Sequence, residues 1–381
     1  MAGPVIRVAV LGSTGSIGRQ TLDVVRAHPE RFRIVGLAAG KNKDLLAEQA
    51  REFAPDLVSC ADMDGLRAAL GGKAAPVTMV EMATDPSVDV VVSAVVGAEG
   101  LVPTLAALSA GKAVALANKE AMVMAGGLVK EAAARGGGSI RPVDSEHSAI
   151  WQCLERAGPD AVGRLIITAS GGALRDLAPD ELAAVTPEAA LAHPTWLMGR
   201  RITVDSATLF NKGLEVIEAH WLFNMPYDQI DVLMHRESIV HSMVQMRDGS
   251  VLAQMSVPDM RLPIQYALTY PERLDLDLPP VDFARLGALT FAEPDLERYP
   301  CLGLALAAGR QGGSAPAALA AADEVAVEAF LAGRVRFLDI PALLADILEK
   351  HVPAADPCLE EVLAADAWAR RHARDWIERR S

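Results

Sequence analysis

Over residues 6–150 the chain alternates short apolar runs with stretches whose apolar positions recur at helical spacing. The runs 6–11, 33–38, 88–94, 113–116 and 140–143 are rich in Val, Ile, Leu and Ala with little alternation. They predict strands buried on both faces, and the amphipathic segments between them, such as 21–27 and 45–53, predict covering helices. Strand and helix in turn make an α/β, doubly wound Rossmann-like domain over 1–150. The texture changes after Trp151, with a strand at 165–168, a polar lid loop over about 170–200, a helix through 214–223 and strands at 231–234, 240–246 and 251–257. Arg247-Asp248-Gly249 joins the last two as a hairpin turn. These elements predict a central α+β catalytic domain over 151–275. Pro-rich segments inside 276–300 read as a linker, and the Ala-rich, helix-periodic remainder predicts a C-terminal α-helical domain over 301–381.

Composition narrows the class. With 381 residues, 51% hydrophobic and 22% charged, the chain can bury large cores without disulfides or structural metals. No apolar run reaches membrane-spanning length, so no membrane partner is expected. The first eleven residues lack the layout of a secretory signal, and the expected compartment is the cytoplasm. Cys60, Cys153, Cys301 and Cys358 show no CxxC spacing and read as packing residues. A net charge of −13 argues against a nucleic-acid partner, because phosphate backbones are bound by clustered Lys and Arg.

The first predicted strand runs straight into Gly12-Ser13-Thr14-Gly15-Ser16-Ile17-Gly18. At a strand-to-helix turn, unpaired N–H groups and the helix dipole face a pyrophosphate, although glycines also serve turns that hold no ligand. The second strand ends in Gly40-Lys41-Asn42 where an NAD enzyme usually places an acidic residue. Space and a positive charge there favour a 2′-phosphate, hence NADPH. Alternatively Lys41 is solvated and Asn42 caps the next helix.

Asn118-Lys119-Glu120 and Asp144-Ser145-Glu146 both follow predicted strands, where open α/β sheets bind ligands. In extended backbone Asp144 and Glu146 point the same way and can share a hard cation; as an alternative they cap the following helix. Asn211 and Lys212 precede Glu215 by four and three residues, so on a helix the three share a face able to hold a phosphate and a metal, or form an exposed Lys–Glu pair. In the polar loop, Ser170-Gly171-Gly172 suits phosphate, and His193, Trp196 and Met198 suggest a lid that excludes water, unless Trp196 packs back on its own domain.

Taken in order, these blocks, with Met198-Gly199, Asp205-Ser206, Gln254, Pro258-Asp259-Met260 and Ala321-Ala322-Asp323-Glu324, resemble the deoxyxylulose phosphate reductoisomerases over nearly the whole chain. The resemblance implies an NADPH-dependent oxidoreductase that rearranges and reduces a small sugar phosphate for isoprenoid precursor synthesis, as a homodimer. It implies a divalent metal (Mg²⁺, Mn²⁺ or Co²⁺) on Asp144, Glu146 and Glu215, and NADPH on Thr14, Gly15, Ser16, Ile17, Gly40, Lys41, Asn42, Asn118, Glu120 and Gly199. Substrate contacts are implied for Lys119, Ser145, Glu146, Ser170, His193, Trp196, Ser206, Asn211, Lys212 and Glu215, with Lys119, Asp144, Glu146, His193 and Glu215 catalytic. Ala173-Leu174 and Thr195 depart from the family's usual loop. Two rivals remain: a semialdehyde or homoserine dehydrogenase, which needs no three-carboxylate metal set, and an NADP-binding regulator without turnover.

Overall fold

The computed structural model describes residues 4–70, 74–155, 159–196 and 198–380, with side chains except at 67–70 and 159; Leu197 of the lid lies outside the described residues. The chain divides into two compact units. One comprises Met1–Ala121, Gly127–Ser148 and Asp259–Leu278, and the other Met122–Gly126, Ala149–Pro258 and Pro279–Ser381.

The first unit is built on seven parallel strands, β1 (Ile6–Leu11), β2 (Phe32–Ala38), β3 (Leu57–Ser59), β4 (Ala75–Pro76), β5 (Val90–Ser93), β6 (Ala113–Leu116) and β7 (Ser139–Pro142), in the order β4-β3-β2-β1-β5-β6-β7. Val8, Ala9, Val10 and Leu11 are fully buried, which follows from helices lying over both faces of the central strand. The order turns back beside β1, with β2 on one side and β5 on the other, so a crevice opens at the C-terminal ends of β1 and β5. The strands β3 and β4 are additions to the sequence reading; at three and two residues they are too short to show a period. The helix Arg261–Thr269, grouped at the sequence level with the catalytic segment, belongs to this unit. Ile264, Ala267 and Leu268 join its core, and Arg141 Nη1 donates to the Ala267 carbonyl (2.9 Å), closing that helix's C-terminus.

The second unit has a mixed four-stranded sheet of β8 (Val162–Ala169), β9 (Ile230–Met234), β10 (Val240–Met246) and β11 (Val251–Met255), ordered β11-β10-β8-β9. The strands β8 and β9 run parallel and the other pairs antiparallel, and the β10–β11 hairpin turns through Gly249 at φ +88° as the turn signal required. The helix Phe210–Phe223 lays Val216 and Ala219 on Leu165, Ile167 and Val244 of the sheet. Its other flank, Phe210, Leu214 and Ile217, enters one continuous core with the helices Pro300–Gln311, Ala315–Leu331, Asp339–Lys350 and Leu359–Glu378. The Ala-rich C-terminal segment is therefore helical as expected, and it shares a core with the segment before it.

Cys60 and Cys301 are buried and Cys153 is half-buried, its thiol pushed up to about 11 by burial, so these three do pack. Cys358 departs from that expectation, lying exposed before the helix Leu359–Glu378. Among the described residues no helix is long and apolar enough to cross a membrane.

Candidate active site

In the first unit the glycine turn leaves β1 and feeds the helix Ser16–Ala27, with Gly15 as N-cap, which aims the first N–H groups of that helix into the crevice. Gly12 has φ +90°, and a Cβ there would lie 2.4 Å from the Ala94 carbonyl oxygen; a Cβ on Gly18 would lie 2.2 Å from the Gly12 carbonyl oxygen. Both positions admit glycine alone, because backbone passes backbone there. The turn has a brace that sequence reading missed. Buried Gln49 accepts from Ser13 Oγ (2.8 Å) and donates to the Ser13 carbonyl (3.0 Å). Ser13 and Gln49 are separated by a whole strand and helix, and no local pattern links them.

Gly40 has open space where a Cβ would be, and Lys41 beside it is exposed. Asn42 does cap: its side chain accepts from Leu45 N–H (3.3 Å) at the start of the helix Lys43–Phe53. Asn118 caps the helix Lys119–Gly136 through Ala121 N–H and donates to the carbonyls of Val95 (2.6 Å) and Gly97 (3.0 Å) and to Glu120 Oε2 (3.1 Å). That set ties the loops after β5 and β6 together at the same end of the sheet as the glycine turn.

Lys119 Nζ lies 2.8 Å from Asp144 Oδ2, with the two side chains 10% and 18% exposed. Carboxylate oxygens of Asp144 and Glu146 come within 4.8 Å of each other, close enough to share a cation. The extended backbone invoked from spacing is corrected here. The helix Ser145–Leu154 begins immediately after Asp144, so Glu146 stands in its first turn, and Ser145 N–H donates to Asp144 Oδ1 (3.2 Å). The carboxylates meet because a helix N-terminus turns Glu146 back toward Asp144, and Glu146 in the first turn also suits the helix dipole. Ser145 Oγ donates to Glu146 Oε2 (2.6 Å) and orients it.

In the second unit Glu215 is 1% exposed, and its two oxygens accept from Asn211 Nδ2 and Lys212 Nζ, both at 2.6 Å. The helical spacing therefore puts the three polar groups on one face, although in a buried cluster and not the exposed pair of the alternative reading. Ser206, buried near the end of the helix Arg200–Ala207, donates to the Thr203 carbonyl (2.7 Å). Gly199 is that helix's N-cap.

The polar loop after β8 is tied together through His193. The Thr195 and Trp196 N–H groups both donate to His193 Nδ1 (3.1 and 2.9 Å). With Nδ1 accepting, the ring proton sits on Nε2, which faces Ser170 Oγ at 3.0 Å. Burial, and then the charge of Arg175, lower the His193 pKa and favour this neutral form. Arg175, a second residue without a sequence signal, donates to the Ser170 carbonyl (2.9 Å). Trp196 makes an edge contact with His241, ring centres 6.1 Å apart, and His241 Nε2 meets Ser256 Oγ at 2.9 Å.

Three consecutive stretches match family models: residues 8–126 match 1-deoxy-D-xylulose 5-phosphate reductoisomerase, 140–223 its C-terminal domain, and 255–372 the DXP reductoisomerase C-terminal domain. A 1-deoxy-D-xylulose 5-phosphate reductoisomerase of Geobacillus kaustophilus is 54% identical over 97% of this chain and 99% of its own length. One from Thermomicrobium roseum is 53% identical over 98% of each. Among solved structures, the Zymomonas mobilis enzyme in complex with NADPH aligns with a TM-score of 0.91 at 42% identity, covering 98% of this chain and all of the other. A DOX-P reductoisomerase in complex with NADPH, fosmidomycin and magnesium aligns with a TM-score of 0.94 at 40% identity, covering 98% of both chains.

Proposed function

The chain belongs to the family of 1-deoxy-D-xylulose 5-phosphate reductoisomerases, and from that premise we propose how its own residues carry the reaction. It is an NADPH-dependent oxidoreductase that converts 1-deoxy-D-xylulose 5-phosphate to 2-C-methyl-D-erythritol 4-phosphate with a divalent metal. The observation that carries the assignment is that the Lys119, Asp144 and Glu146 set and the Asn211, Lys212 and Glu215 set lie inside matched segments that follow one another along nearly the whole chain.

In this reading the cofactor pyrophosphate meets the N–H groups of Thr14, Gly15, Ser16 and Ile17, and Lys41 with Gly40 and Asn42 takes the 2′-phosphate, with Asn118, Glu120 and Gly199 completing the cofactor contacts. The open space at Gly40 supports that reading. NADPH supplies the hydride. Asp144, Glu146 and Glu215 are the proposed metal ligands, an all-oxygen set that suits a hard cation and is consistent with Mg²⁺, Mn²⁺ or Co²⁺. Such a cation, when bound, polarises the ketose and hydroxyl oxygens of the substrate.

The remaining roles fall to side chains. Ser170, Ser206, Asn211 and Lys212 hold the phosphate end, with Lys212 as the charge and the others as donors. Ser145 orients Glu146. Lys119 Nζ, placed at Asp144, offers positive charge and a proton to the oxygens on which negative charge develops as one carbon–carbon bond breaks and another forms. The rearranged aldehyde is then reduced, and His193 and Trp196 keep water out while it forms. We further propose a homodimer in the cytoplasm, and, within the second unit, a catalytic segment that ends at Pro258 and a helical segment over 301–381.

The test is a spectrophotometric one. NADPH absorbance should fall when the ketose phosphate and Mg²⁺ or Mn²⁺ are present, and the fall should stop on adding a chelator. In Glu146→Gln and Glu215→Gln, kcat/KM should drop by about 100-fold or more with NADPH affinity unchanged. Full turnover in either variant would remove the proposed ligand set.

A further inference from the structure

The helix Arg200–Ala207 carries Ser206, and it also packs against the helix Ala315–Leu331 of the C-terminal segment. Asp205 and Asp323 meet in that contact, 4% and 0% exposed. Neither oxygen of Asp323 accepts a hydrogen bond from an N–H or O–H group among the described residues, and Asp205 is the carboxyl beside it, the one guanidinium of Arg201 lying near both. Two carboxyl groups hydrogen-bond only when a proton lies between them, because each otherwise brings acceptors alone.

The surrounding charge does not remove the need for that proton. Arg201 Nε lies 3.6 Å from Asp205 Oδ2 and its Nη2 3.7 Å from Asp323 Oδ2, both long, while its Nη1 is committed to Glu324 Oε1 at 2.6 Å. The other Glu324 oxygen is taken by Arg370, which is itself paired with Asp366 at 2.9 Å. Among these ion pairs two guanidinium groups, Arg201 and Arg370, face four acidic side chains, Asp205, Asp323, Glu324 and Asp366. On the third side Cys301, from the helix Pro300–Gln311, brings no charge: burial first, and then the two aspartates, push its thiol well up. Burial and the neighbouring Asp205 likewise raise Asp323 well above the usual carboxyl range.

The same turn of helix bears on the phosphate end. Thr208 Oγ1 donates to the Asp205 carbonyl (3.2 Å), and Ser206 is the next residue of the same turn. Gly172, at φ +70°, runs so close that a Cβ on it would lie 2.6 Å from the Ser206 carbonyl oxygen. Where Asp205 rests on the Ala315–Leu331 helix therefore sets where Ser206 stands relative to Ser170-Gly171-Gly172.

We propose that Asp205 and Asp323 share one proton and act as a positioning pair, fixing the end of the Arg200–Ala207 helix that presents Ser206 to the substrate phosphate. This rests on the reading of Ser206 as a phosphate ligand. When the proton leaves as pH rises through the raised value, two like charges in a dry contact repel, and Ser206 moves off station.

The experiment compares the holoenzyme, wild type and Asp323→Asn, from neutral to alkaline pH, with KM for the sugar phosphate and kcat read separately. An asparagine brings a permanent N–H donor, so its bond to Asp205 no longer depends on pH. Wild-type KM should rise by about tenfold more than that of Asp323→Asn along the alkaline limb, with kcat much less affected. Any titration of Lys212 is common to both proteins and drops out of the comparison. A second readout needs no turnover. A carboxyl whose folded-state pKa is raised contributes stability that is lost as pH rises from the ordinary carboxyl range through the raised value, so the thermal midpoint of Asp323→Asn should gain on wild type as pH rises. Asp205→Asn serves in the same way if the first variant does not fold. Superimposed KM profiles in an active enzyme, or a midpoint difference constant with pH, would overturn the pair; a wild type without turnover whose midpoints still diverge would leave the pair standing and count against the functional reading.

Discussion

His193 has its role set by two backbone N–H groups that converge on one ring nitrogen. Because Nδ1 must stay unprotonated to accept them, the loop and the neutral imidazole stand or fall together. The folded-state pKa lies below the ordinary 6.5, so the neutral ring's contribution is present above that value and is lost as pH falls through the lower one. Emission from Trp196 in substrate-free protein should therefore change on acidification below pH 6.5, and the change should be absent in His193→Gln. Identical acid limbs for the two proteins would show that the ring does not hold the loop. Residue type and spacing suggested a lid around His193 and Trp196. They could not say which nitrogen carries the proton, since that depends on the path of the backbone two and three residues on.

At the scale of elements, the glycine turn and the helices that begin beside it were legible because their cause is local. Strand, positive-φ glycine and helix start follow one another in the chain, and each leaves its own signature. The brace by Gln49 left none. Replacing Gln49 with Leu strips Ser13 Oγ and its carbonyl of partners in a buried place, at an expected cost of roughly 1–3 kcal/mol. The melting temperature should fall accordingly, and NADPH should bind about tenfold more weakly, since 1.4 kcal/mol of lost turn order is a factor of ten. Unchanged NADPH affinity in a destabilised variant would make Gln49 a fold residue without influence on the turn. The Asp144 and Glu146 pair shows the converse: the expected proximity is present, but a helix N-terminus produces it and an extended strand does not.

For the whole molecule, the sequence reading separated a catalytic segment from a helical one by their texture. In the structure the two share a core in which Val204, Phe210 and Leu214 touch the same cluster as Leu319, Phe330 and Leu344. Removing residues 301–381 would expose that apolar surface, so the shortened chain should be insoluble or lack a cooperative melt of its second unit. A soluble truncated chain with an undiminished second-unit transition would contradict the shared core. The helix Arg261–Thr269 carries the same lesson: it lies late in the chain and packs in the first unit, because Ile264 and Leu268 complete a sheet face that residues before 150 leave uncovered.

The amino-acid sequence alone determined the α/β class, the glycine turn and the choice of a phosphate-bearing cofactor, and it supplied the acidic and basic side chains proposed for the site. These depend on period, turn chemistry and residue type, which are properties of neighbours along the chain. Tertiary structure alone decided what depends on distance through space. It set the Gln49 brace, the tautomer of His193, the unit to which a late helix belongs, and the meeting of Asp205 with Asp323, because burial and hydrogen bonding between distant segments are fixed only when the chain has packed.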